Sequence, residues 1–176
     1  MTILERLLGH DAWTTRQLLL RCPEFSEEQM DRNFEIGDKS LRETLHHIIA
    51  AMESHTRRLY GRNLTDSLPE GKSVDEMLDR LTAVAKLLGD FALKMEREGR
   101  EDELVVVNLQ NGYSRTAGGV VAHILTHGMH HRAQAISIME QLGAKDVIEG
   151  DVLGWESVIR GWGWRDGGSD GKMMAE

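Results

Sequence analysis

VVAHILTHGMHHRAQAISIMEQL, residues 120–142, sets an apolar residue at every third or fourth position and packs four of the chain's eight histidines into nine residues. Wound at roughly 100° per residue, Val120, Ile124, Ala135, Ile138 and Leu142 share one arc, so the stretch reads as an amphipathic helix with that arc on the core. His127 and His131 fall on the same arc, His123 and Gln134 at its margin, and His130 outside it. An i, i+4 pair sets two rings on one side of a helix, about 6 Å apart at Cβ, a gap that a divalent ion with bonds of about 2.0–2.1 Å can bridge. Packed without an ion, each ring would need its own hydrogen-bond partners.

The rest of the chain supplies the helices against which this one packs. Ile3, Leu4, Leu7, Leu8, Leu18 and Leu19 mark a first helix over about residues 2–22, ended by Pro23. Residues 24–39 lack a period and contain Gly37 and Asp38, which predicts a connection. Ser40 is placed to cap a second helix to about Tyr60, with Glu43 completing a capping box, and Gly61, Asn63 and Pro69 mark the polar loop beyond it. Ser73 caps a third helix, in which Met77, Leu78, Leu81, Val84, Leu88, Phe91 and Met95 keep helical spacing to about Arg97.

Val105 to Val107, followed by Asn111-Gly112, predict an extended crossover or a short hairpin before the histidine helix, which starts near Ser114 or Thr116 and stops at Gly143. A short fifth helix is expected in DVLGWESVIRG. Four long amphipathic segments without a convincing sheet make an all-α, four-helix bundle, with residues 1–165 as the domain and 166–176 as a polar tail. Trp155, Trp162 and Trp164 are expected to pack onto the bundle, or to line a dimer contact or the site's mouth.

Charge and cysteine usage narrow the function. With 29 acidic against 21 basic side chains, a net charge of -8 and no basic stripe, nucleic acid is not an expected partner. Cys22 stands alone, so the chain forms no disulfide within itself and suits a reducing cytoplasm. It reads as a small packed residue rather than a nucleophile. No stretch approaches the ~20 apolar residues of a membrane span, and Glu5 and Arg6 interrupt any signal-like start.

Two nitrogens hold a divalent ion poorly, so a third ligand is needed. The second helix offers His46, His47 and His55; its apolar arc centres on Leu45, Ile49 and Met52, and spacing says only that one of the three completes the site. Asp11 sits on the apolar arc of the first helix, where a buried carboxylate requires a partner. It reads either as an acceptor for the free N–H of a ligating imidazole or as a local cap.

Three stretches together resemble the DinB-like family of metal-binding helical bundles: HDAWTTRQLL at 10–19, SLRETLHHI at 40–48, and HxxxHxxxHRxQ on His123, His127, His131, Arg132 and Gln134, with Ala133 where the family often has Gly. The resemblance covers most of the chain. It implies an up-down-down-up bundle with a long crossover between helices two and three, often homodimeric, and a metal held by His47, His127 and His131. His47 is preferred to His46 because the family's ligand precedes an Ile. Asp11, His123 and Gln134 would then support the ligands from behind.

Three imidazoles and no carboxylate leave room for a water or substrate, as in catalytic zinc sites. Such donors select Zn²⁺, Ni²⁺ or Fe²⁺ over Mg²⁺ or Ca²⁺, and the chain lacks the two Glu-x-x-His units of di-iron bundles. The family's characterised branches imply a transferase or isomerase acting with a low-molecular-weight thiol such as bacillithiol, mycothiol or glutathione. A metal-activated water for hydrolysis is the other chemistry open to the site. The alternative is a non-catalytic, stress-associated dimer whose ion ties two helices together.

Overall fold

Each long helix begins where a hydroxyl side chain can satisfy its first backbone N–H groups. In the computed structural model, which describes residues 1–61, 70–108, 112–148 and 150–162, Thr2 caps α1 (Ile3–Arg21) in a reciprocal capping box with Glu5. A single 3₁₀ turn at Cys22–Glu24 follows. The expected plain connection holds a short helix, α2 (Glu27–Asp31), capped by Ser26 and Gln29. Five residues are too few to display a period.

Ser40 Oγ accepts the Glu43 N–H to start α3 (Leu41–Leu59). The expected second half of that box does not form, because the Glu43 carboxylate is taken by Lys72 Nζ at 2.7 and 2.9 Å. Ser73 and Glu76 cap α4 (Val74–Glu98), which ends at Gly99 in the left-handed region with φ 63°. The valine cluster pairs as a hairpin, β1 (Leu104–Asn108) antiparallel to β2 (Tyr113–Thr116), with a register shift between Val106 and Asn108. Asn111 of the turn lies outside the described residues, as do Asn63, Pro69, Trp164 and the tail at 166–176. Thr116 caps α5 (Ala117–Gln141), and Asp151 caps α6 (Val152–Ile159).

Side-chain contacts fix the directions. Ile3, Leu4 and Leu7 face Val121, Ala122 and Leu125, while Asp11 meets Arg132 farther on, so α1 and α5 run parallel. His47 meets His127 and His131 whereas His55 meets His123, so α3 runs antiparallel to α5. The Glu53–Arg80 ion pair and the Tyr60–Phe91 ring contact make α3 and α4 parallel. The order is therefore up-down-down-up, and the connection from α3 to α4 returns the length of a helix, roughly 28 Å at 1.5 Å per residue. Leu18, Leu19, Leu45, Ile49, Met77, Leu88, Ile138 and Met139 fill the centre.

On α5 the core face differs from its expected composition. Val120, Ile124, Ala135 and Ile138 are buried, but the positions between them are filled by Gly128 and Arg132, not by His127 and His131, which are half-buried on the flank toward α3. Arg132 is admitted because Nη1 donates to the Asp11 carboxylate and to Thr15 Oγ1, forming a buried ion pair between α1 and α5. Gly128 makes the space: a Cβ there would stand 2.8 Å from both Arg132 Nη1 and Asp11 Oδ1. Trp155 of α6 is buried against α1, within 2.6 Å of where a Cβ on Gly9 would sit, whereas Trp162 is exposed.

Asp11→Ala leaves Arg132 buried without a counter-charge and is expected to lower the unfolding free energy by about 3–5 kcal/mol. Urea denaturation checks this. The double substitution Asp11→Leu/Arg132→Met should recover most of the loss; equal loss in both variants would show that packing, not charge, dominates there.

Candidate metal centre

The antiparallel run of α3 against α5 brings His47 over the His127/His131 pair. His47 Nε2 lies 3.2 Å from His127 Nε2. The His47 ring centroid is 4.5 Å from that of His131, and the His127 and His131 centroids are 4.4 Å apart. One donor atom from each of the three lies within 4.8 Å of the others. Tetrahedral zinc with bonds of about 2.0–2.1 Å holds neighbouring donors about 3.3 Å apart. The His47–His127 pair already stands at that separation, and the donor set fits a borderline divalent ion.

Electrostatics keep His127 and His131 in the ligating form. Burial pushes His127 down to about 4, helped by the neighbouring His131 and His47 rings, and burial followed by His47 lowers His131. Neutral rings present lone pairs, whereas imidazolium ions this close would repel. Around them, three buried polar atoms lack a hydrogen-bond partner among the described residues: His131 Nδ1, Gln134 Oε1 and Asp38 Oδ2. Asp38 Oδ2 is 3.4 Å from His47 Nδ1. Gln134 is near enough to His131 to favour its protonated form, although neither orphaned atom completes a bond.

Of the three candidates on α3, only the His47 ring reaches both His127 and His131. His55 Nδ1 accepts from Arg58 Nη1 at 3.1 Å, and burial followed by Arg58 pushes this ring down to about 4. His46 is outside the cluster, with Nε2 buried and without a hydrogen-bond partner among the described residues. His123 stands one turn beyond the cluster, its centroid 5.3 Å from His127 and 4.9 Å from His55. His130 is exposed, edge-on to His131, with Nε2 3.1 Å from Gln134 Nε2.

Asp11 does not support an imidazole of the cluster; its carboxylate is given to Arg132, which satisfies a buried negative charge more fully than a neutral N–H. Cys22 is buried, its Sγ–H donates to the Leu18 carbonyl at 3.4 Å, and burial pushes the thiol up to about 12, so it is no nucleophile. Asp38 was not anticipated. The sequence showed it only as part of a Gly-Asp turn, and nothing in that pattern says which way the carboxylate faces.

An apolar cleft of about 520 Å³ opens between α1 and α5, walled by Leu4, Leu7, Val121, Leu125 and Met129 over a floor of His10, Asp11 and Arg132. None of the three clustered imidazoles lines it. No helix among the described residues is long and apolar enough to cross a membrane.

Comparison with known proteins places this geometry in a family. Residues 1–152 match the DinB family. The chain belongs to that family. A curated relative, Protein DinB of Bacillus subtilis (strain 168), is 21% identical over 148 residues, covering 78% of this chain and 85% of that protein. In this DinB-family chain the HxxxHRxQ segment contributes both a cluster donor, His131, and the buried cation, Arg132, from adjacent positions.

The lowered histidines have a consequence for stability. His127 at about 4, with His131, His10, His46 and His55 also below the ordinary 6.5, binds fewer protons folded than unfolded in the window below 6.5. Stability is then greatest above that window and is lost as pH falls. In the presence of EDTA, the thermal midpoint should drop between pH 7 and pH 5, read by circular dichroism. A flat profile over that interval contradicts the assignment.

Proposed function

We propose that the chain holds one divalent transition ion, Zn²⁺, Ni²⁺ or Fe²⁺, through His47, His127 and His131, and works in the cytoplasm as a homodimeric metal-dependent enzyme acting with a low-molecular-weight thiol. The observation that carries this reading is the 3.2 Å approach of two Nε2 atoms from different helices, completed by a third ring at one helical turn. Such an ion supplies Lewis acidity that lowers the pKa of a thiol or water beside it.

The protein's own share is to hold His127 and His131 neutral, keep the three donors from rotating and leave one side of the cluster open. His47, His127 and His131 are half-buried rather than sealed, which suits an exchangeable position. His123 stands one turn away, its ring centroid 5.3 Å from that of His127, and the resemblance to a family whose characterised branches use low-molecular-weight thiols favours a thiol over water. Transfer or isomerisation is accordingly proposed ahead of hydrolysis, and the dimer rests on the same resemblance.

Elemental analysis of untagged protein should find close to one ion per chain, lost in His127→Ala/His131→Ala and kept in His130→Ala, whose ring lies outside the cluster. No metal after reconstitution would sink the reading. In the cobalt-substituted protein, adding a thiol should change the d-d spectrum; a silent spectrum with full occupancy would instead favour the non-catalytic, helix-tying role. Light scattering that gives the mass of one chain would remove the dimer.

A further inference from the structure

We infer that Asp38 positions His47 in this centre, by accepting the Nδ1–H of the ring and so fixing the tautomer that leaves Nε2 free for the ion. The inference rests on the metal reading above and assigns a carboxylate that the family motifs do not contain.

Three observations meet at this residue. Asp38 Oδ2 is buried and has no hydrogen-bond partner among the described residues, yet it faces His47 Nδ1 at 3.4 Å. A closure of about 0.2 Å, with the ring N–H turned onto Oδ2, would bring the pair within ordinary hydrogen-bond range. The opposite nitrogen of the same ring, Nε2, is the one turned to His127. A neutral imidazole carries one N–H, so ligation through Nε2 requires the proton on Nδ1, on the Asp38 side. A carboxylate there holds the ring's orientation and strengthens it as a donor.

The loop is built to present that carboxylate. Gly37 and Lys39, on either side of Asp38, both lie in the left-handed region, at φ 64° and 76°. For Lys39 this is an uncommon, strained conformation that the surroundings must enforce. They do so through the backbone: Asp38 N–H donates to Thr44 Oγ1 at 3.2 Å, and Phe34 N–H donates to the Lys39 carbonyl at 2.5 Å. Gly37 sits so close to Thr44 that a Cβ would lie 2.6 Å from its Oγ1. Among the described residues, the Asp38 side chain makes none of the bonds that hold the loop. It can therefore be replaced without releasing the loop, which separates positioning from folding.

The test combines zinc affinity, by competition with a chromophoric chelator, with ¹⁵N-resolved histidine side-chain spectra of metal-free and zinc-loaded protein. Wild type should take one zinc per chain and show His47 protonated at Nδ1 in both states. Asp38→Ala should still bind one zinc, about 10–100-fold more weakly, with metal-free His47 spread over both tautomers; Asp38→Asn, which keeps an acceptor oxygen, should fall between. The metal-free thermal midpoint should be unchanged in both variants. Wild-type affinity in Asp38→Ala, or His47 protonated at Nε2 in the wild-type chain, overturns the positioning role while leaving the metal reading intact. A wild-type chain that takes up no zinc overturns the metal reading and this role together.

Discussion

The buried ion pair between Asp11 and Arg132 sets the geometry on which everything else depends. Taking two charges out of water costs several kcal/mol for each ion, and their attraction offsets that only when the partners meet closely. Arg132 must therefore point at α1, and Gly128 must leave room for it. A helix is rigid in rotation, so aiming Arg132 at α1 turns the preceding residue, His131, and with it His127, toward α3. A charge pair on one side of α5 thus specifies which side carries the imidazoles. The same residues that look like a liability in the core act as the rotational stop for the site.

Sequence periodicity served well where burial is apolar and long. The four bundle helices, their hydroxyl caps and their end glycines follow from spacing and cap chemistry, and the clustering of His127 with His131 follows from i, i+4 geometry. It erred where a polar group takes a buried place. The arc of Val120, Ile124, Ala135 and Ile138 puts His127 and His131 on the core, and only the pairing of Arg132 with Asp11, across 121 positions of sequence, gives the buried place to Arg132. Asp11 was recognised as needing a partner, but the choice between an imidazole and a guanidinium belongs to tertiary structure. Asp38 was hidden for another reason: the left-handed φ of Lys39 has no signature in residue type.

Volume and chemistry occupy opposite sides of α5. The apolar cleft beside α1 has space and walls but a floor whose charges are already matched, while the imidazole cluster beside α3 has unmatched donors and little enclosure. Cavity size alone points to the face beside α1. The unsatisfied buried atoms of Asp38, His131 and Gln134 lie on the other face, beside the imidazoles, and a buried polar group left without a partner calls for an explanation such as a bound group.

His47 and His127 are separated by 80 residues, and their helices are joined through α4 and the hairpin rather than by a tight turn. The ligand set is therefore a long-range contact with a large closure entropy, absent from any local fragment of the chain. The donors come together only once α3 and α5 have both docked, which places assembly of the centre late in folding. An ion captured there would close a loop of 80 residues, so occupancy of the centre would double as a report that the chain has folded correctly.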